Sequence, residues 1–112
     1  MRGETPGQTV LEMKFRMKVY RVQGEVLVAV CDTEIVGRTF RDEERGLKLE
    51  IKESFYGREE VDAESVKEML RKATIANISG ERAVKLAIEA GIVDEDRVLV
   101  IGECPHAQMV VL

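Results

Sequence analysis

The chain has 112 residues, of which 45% are hydrophobic and 34% charged, and carries a formal net charge of -4. That is enough for one compact domain whose core needs neither disulfides nor a structural metal, and it disfavours intrinsic disorder. The acidic balance excludes strong non-specific polyanion binding by the whole surface, so any nucleic-acid contact requires a local basic patch.

The opening residues, MRGETPGQTVLEM, lack the apolar run of a signal peptide, and no stretch approaches the roughly 20 apolar residues of a membrane span. The expectation is a soluble, cytoplasmic protein. Cys31 and Cys104 are far apart in the chain and form neither a metal knuckle nor a disulfide framework, so reduced thiols are expected. A charge-rich composition with a single asparagine, Asn77, is what thermophile proteins tend to show, the one setting in which a cytoplasmic disulfide would not surprise.

Residues 1–13 read as a loose N-terminal extension and 14–112 as a single domain. From Lys14, "KFRMKVYRV" alternates, with Phe15, Met17 and Val19 on one face and Lys14, Arg16, Lys18 and Tyr20 on the other, which is the pattern of a half-buried strand. "QG" then turns the chain into "EVLVAVC". Gly24 can adopt the positive φ of a tight hairpin, and the consecutive apolar residues that follow indicate a strand buried on both faces. "EIVGRTF" and the charged "RDEERG" lead to "LKLEIKE", a third strand, dry on one side and wet on the other. In "SFYGREE", Phe55 and Tyr56 anchor a connector on the core.

Asp62 is the expected N-cap of a first helix, with Val61 and Val66 forming a hydrophobic staple and Val66, Met69, Leu70 and Ala73 at helical spacing. A second helix is expected to start near Asn77 to Ser79, to present Val84, Ala87 and Ile88, and to stop at Gly91 with Ile92 folding back on Leu86. "VLVIG" and "MVVL" read as two final strands flanking a loop from Cys104 to Gln108. The whole predicts an α+β fold, a mostly antiparallel sheet of about five strands with two helices packed on one face.

Three stretches are candidate sites. In "GECPHAQMVVL", Cys104 and His106 supply at most two metal ligands, with Cys31 a conceivable third, and a thiolate–imidazole pair across Pro105 is permitted but not required. The structural account is preferred: Pro105 fixes a turn, Cys104 packs as a small hydrophobe, and His106 and Gln108 satisfy backbone or each other. No metal and no cofactor is expected. In "ATIANISGERAV", Asn77 and Ser79 can cap, Gly80 permits a close approach, and Arg82 sits in the first turn, where an anion is favoured; the same residues suit any tight helix–helix connection. The exposed row Lys14, Arg16, Lys18 and Tyr20 lies in a half of the chain, Lys14 to Arg58, with ten basic and eight acidic residues, net +2. Glu59 to Leu112, with six and eleven, is net -5. A basic strand carrying an aromatic can track phosphates and stack one base, as sheet-based RNA binders do.

The stretches "MKVY", "VLVAVCD", "FYG", "ATIANISGERAVKLAIEAG" and "IGECPHAQMV" resemble an archaeal family catalogued as domain of unknown function 424, over about Met17 to Leu112. The resemblance implies an archaeal, cytoplasmic, single-domain α+β protein and brings no activity or catalytic residues with it. Three expectations about function follow from the residues. The first is a binding module for RNA or an RNA–protein particle of translation or RNA processing, through Lys14, Arg16, Lys18 and Tyr20, with one anion at the helix joint. The rival is a small-ligand protein or enzyme in which Asn77, Ser79, Gly80, Arg82, His106 and Gln108 line one polar site with His106 as acid or base. A protein-interaction adaptor, docking a basic partner through the acidic half, is the third.

Overall fold

The computed structural model describes residues 14–112, and the N-terminal extension read from the sequence lies outside them. Eight strands and three α-helices follow in the order β1 (Phe15–Val22), β2 (Glu25–Asp32), β3 (Thr39–Asp42), β4 (Leu47–Glu50), α1 (Glu53–Tyr56), β5 (Glu60–Val61), α2 (Ala63–Lys72), β6 (Ile75–Ser79), α3 (Glu81–Glu89), β7 (Leu99–Ile101) and β8 (Cys104–Val110). The main sheet has six strands in the order β5-β1-β2-β6-β8-β7, and β3 with β4 makes a separate two-stranded ribbon. Every neighbouring pair in the main sheet is antiparallel except β2 with β6.

The β1–β2 hairpin forms where the sequence places it. Gln23 and Gly24 both have positive φ, 50° and 86°, the backbone of the tight turn whose twist matches paired strands. β2 is central and buried on both sides. Val28 and Val30 face a core closed by Val66 and Leu70 of α2 and by Ala83, Val84 and Ala87 of α3. Ala29 and Cys31 face the opposite way, onto Phe40 and Ile51 from the ribbon region and Tyr56 of α1. Asp62 caps α2, its Oδ1 accepting from the Ser65 N–H at 2.9 Å. α3 gives way to Gly91, and Ile92 N–H bonds back to the Ala87 carbonyl at 2.8 Å.

Three expectations are corrected. Asn77 to Ser79 do not open the second helix: they end strand β6, and α3 begins only after Gly80. Ile75, Asn77 and Ser79 alternate with Ala76 and Ile78, and pairing with β2 and β8 on both sides outweighs the capping propensity of the Asn and Ser side chains. Cys104 to Gln108 are not a loop. They are β8, which tolerates Pro105 because it lies near the strand's start. The "LKLEIKE" strand pairs with β3 outside the main sheet and covers part of the face opposite α2 and α3.

Candidate polar site on the open sheet face

The register places the chemistry. Cys31 on β2 is opposite Ser79 on β6, and Ser79 is opposite His106 on β8; Ala29, Asn77 and Gln108 form the neighbouring row, and Leu27, Ile75 and Val110 the next. Because side chains alternate along a strand, all of these share the face away from α2 and α3. Asn77, Ser79, His106 and Gln108 are thus brought together by two adjacent antiparallel strands.

Ser79 is fully buried and holds two partners. Its Oγ lies 2.8 Å from the Tyr56 hydroxyl and 2.8 Å from His106 Nδ1, so a phenol, an alcohol and an imidazole form one chain running from the interior to the half-buried ring. Burial pushes the Tyr56 phenol up to about 12, against the lowering effect of its bond to Ser79, and it stays protonated. It can donate to Ser79, which then donates to Nδ1 and leaves the ring proton on Nε2. Burial also lowers the His106 pKa from 6.5. Charging the ring would put a proton on Nδ1 for Ser79 Oγ to accept and leave one of the two hydroxyl protons, that of Ser79 or of Tyr56, without an acceptor among the described residues. The ring is therefore neutral at neutral pH. Ser79, sealed from solvent, has no access to a substrate as a nucleophile.

Beside this chain the Gln108 side-chain amide donates to Asn77 Oδ1 at 2.9 Å, with Gln108 exposed. On the same face Tyr20 stacks on Phe55 with ring centroids 5.7 Å apart, and the pair borders a hollow of about 330 Å³ that Leu27 and Ile75 also line. The Lys18 ammonium sits 5.1 Å from the Tyr20 ring centroid. Apolar floor, aromatic wall, two amides and a neutral imidazole thus follow one another across β1, β2, β6 and β8.

α1 and the turn after it lie across part of the basic row on β1, so that Arg16 and Tyr20 are half-buried while Lys14 and Lys18 stay exposed. Arg16 binds Glu53 Oε2 at 3.4 Å and the Gly57 carbonyl at 3.2 Å; Lys18 reaches the Ser54 carbonyl at 3.2 Å; the Tyr20 hydroxyl donates to the Phe55 carbonyl at 2.7 Å. Among the described residues Lys14 alone of this row makes no side-chain contact of this kind, although its carbonyl accepts from Thr33 and Arg82.

Gly80 and Arg82 stand apart from the polar site. Arg82 lies over the Phe15 ring, 4.7 Å from its centroid, and its guanidinium holds both oxygens of Glu34, at 2.6 and 3.0 Å. That pairing keeps the Glu34 carboxyl below the usual range. Asp32, buried at the end of β2, accepts from the Arg82 and Ala83 backbone N–H groups at 3.0 and 2.7 Å. The first-turn N–H groups that the sequence offers to an anion are therefore taken by a carboxylate of the chain itself. Desolvation nonetheless raises the Asp32 pKa, against those two hydrogen bonds. Gly80, with φ 107°, is required beneath it: a Cβ there would lie 2.5 Å from the Asp32 carboxyl carbon.

Cys31 and Cys104 are free and buried, and burial raises both thiols, Cys31 to about 12. Among the described residues no group of three or more His, Cys, Asp and Glu side chains could hold a metal ion, and no helix is long and apolar enough to cross a membrane. Sequence reasoning missed Asp32 and Tyr56 as members of these networks. Each bonds its partner across the fold, and no local spacing signals that.

The fold is that of a small α+β domain: a six-stranded mixed sheet with α2 and α3 on one face, and on the other α1, the β3–β4 ribbon and a polar and aromatic strip. The sequence profile of the family described as "Protein of unknown function (DUF424)" matches residues 20–112, and the chain belongs to that family. No curated protein matches. A solved structure described as an uncharacterized conserved protein from Methanopyrus kandleri superposes with a TM-score of 0.72 at 25% identity, covering 88% of this chain and 92% of that one. Its source is consistent with the archaeal family that the sequence resembles.

Proposed function

We propose that the protein is a binding module for single-stranded RNA and that its ligand lies across the open sheet face. The observation that carries this is the strip formed by the Tyr20–Phe55 stack, the Leu27 and Ile75 floor, and the amide pair of half-buried Asn77 and exposed Gln108. A base has an apolar face and a hydrogen-bonding edge. An aromatic wall beside two amides can receive both at once, stacking being worth about 1–3 kcal/mol per base. The phosphate contact shifts from the β1 row as a whole to Lys18, which stays exposed while reaching a single backbone carbonyl, since Arg16 is half-buried and committed to Glu53 and Gly57. With one or two such contacts the salt slope is shallow, about -0.7 per phosphate neutralised.

Fluorescence anisotropy with short fluorescein-labelled oligo(A) and oligo(U) RNAs tests this. Binding should weaken between about 50 and about 200 mM salt. Asn77→Ala with Gln108→Ala should weaken it about tenfold, in line with the 1–3 kcal/mol carried by amide contacts to a base edge. Absence of binding at the lower salt refutes the reading.

One observation favours the second reading, a small-ligand protein or enzyme: the Tyr56–Ser79–His106 chain fixes the orientation of a neutral imidazole at the same face. His106→Gln separates the two readings. It abolishes any acid–base activity, whereas RNA affinity carried by Tyr20, Asn77 and Gln108 changes by less than about twofold, the outcome expected when the ring is not a contact.

A further inference from the structure

The helix side of the molecule carries a second surface that the RNA reading does not use. Val84 and Ile88 of α3, Val98 and Pro105 floor a groove of about 540 Å³ whose charged rim is Glu81, Glu89, Glu95 and a single cation, Lys85. Glu81 and Pro105 also border an adjoining hollow of about 260 Å³ at the carboxyl ends of the parallel strands β2 and β6, where Asp32, Glu34 and Glu103 add carboxylates and Arg38 is the one cation. The Arg38 guanidinium is 4.7 Å from the Phe40 ring centroid, and Glu34 is already paired with Arg82. The free negative charge along the two hollows is therefore on Glu81, Glu103, Glu89 and Glu95.

Ligand classes separate on this geometry. The carboxylates do not converge into a metal-holding group among the described residues, so a compact divalent cation is not what they fit. The α3 N-terminus is closed to anions by Asp32. What remains is a ligand that is apolar along one side and carries spaced cations along the other. An apolar floor between acidic rims is the complement of an amphipathic basic helix, read at helical spacing. Crevices at the carboxyl ends of parallel strands, next to a helix start, are a recurrent place for ligands in open sheets.

We propose that this groove docks a Lys- and Arg-rich amphipathic segment of a partner protein. Its apolar side chains rest on Val84, Ile88, Val98 and Pro105, one basic side chain enters the smaller hollow between Glu81 and Glu103, and others pair with Glu89 and Glu95. The larger hollow runs along α3 on the helix side of the sheet and the smaller opens at the carboxyl ends of β2 and β6, and neither is lined by Asn77 or Gln108, so a peptide and an RNA can be held together.

The test uses the full chain and a fluorescein-labelled synthetic helical peptide with leucines on one face and lysines and arginines on the other. Binding should saturate, weaken with salt and fall about tenfold in Glu81→Lys with Glu89→Lys, as charge reversal at a complementary interface predicts. The matched pair Glu43→Lys with Glu44→Lys, on the β3–β4 turn, should leave it within about twofold, since neither residue lines either hollow. Circular dichroism confirms that both variants fold. Equal loss in the two pairs would show attraction to net charge alone and overturn the proposal. So would tight binding of a control peptide with the same basic residues but serines for leucines, or displacement of the peptide by oligo(U) RNA. Failure of RNA binding at the open face leaves these readouts untouched.

Discussion

Replacing Ser79 with Ala removes a single hydroxyl from the centre of the molecule and leaves two partners unmatched. The Tyr56 hydroxyl, on a residue only 2% exposed, loses its hydrogen bond at 2.8 Å and has no water to turn to. A buried donor left unsatisfied costs about 1–3 kcal/mol. His106 Nδ1 also loses its partner, but the half-buried ring can recover some hydration, so its share is at the low end of that range. The expected loss for Ser79→Ala is about 2–4 kcal/mol, a large fraction of the stability of a domain of this size. Urea denaturation followed by circular dichroism reads it directly, provided the m-value is unchanged. The decisive comparison is the double variant. Tyr56→Phe with Ser79→Ala removes both ends of the first bond and should lose about 1 kcal/mol less than the two single variants added together. Additive losses, or a Ser79→Ala effect below about 0.5 kcal/mol, would show that the three groups do not form one chain.

Asp32→Ala should destabilise the fold by about 1–3 kcal/mol in the same assay, because two first-turn N–H groups lose their acceptor, partly offset by relief of a desolvated carboxylate. Gly80→Ala should be destabilising alone and less so in the Asp32→Ala background, where the 2.5 Å clash is gone and only the strained φ remains. His106 ties stability to pH. Its folded pKa is below the unfolded value of 6.5, so the unfolded state takes up a proton first as pH falls; the ring's contribution is complete above 6.5 and is lost between there and the lower folded value. His106→Gln should flatten the stability profile in that window, and an unchanged slope would contradict the assignment. The Cys31 and Cys104 thiols should resist a thiol reagent at neutral pH until the protein unfolds; rapid labelling of the native state would contradict their burial.

Local signals carried much of this fold. The β1–β2 hairpin was legible from strict alternation and a Gln-Gly turn, and α2 from its Asp62 cap and its 3.6-residue apolar spacing. β6 was not legible. Its Asn and Ser resemble a helix start, and only pairing with β2 on one side and β8 on the other, both distant in the chain, makes "IANIS" a strand. The Cys104 to Gln108 segment misled for a similar reason, since Pro and His read as loop until a register places them. The polar residues of the candidate site could be named from the sequence, but not what joins them. Strand register sets Asn77 beside Gln108 and Ser79 beside His106, while Tyr56 arrives from a four-residue helix that no periodicity announces. The basic row was visible as a pattern. That α1 would lie across it was not, because the residues that engage it are mostly backbone carbonyls of Ser54, Phe55 and Gly57.

The claim that the open sheet face binds RNA is tested most directly by titrating the ¹⁵N-labelled protein with oligo(A) and oligo(U) RNA and following its amide resonances. Binding as proposed shifts the side-chain NH₂ signals of Asn77 and Gln108 together with the backbone signals of Tyr20, Leu27 and Ile75, and leaves α3 unmoved. Shifts confined to α3, or none at saturating RNA, would contradict it.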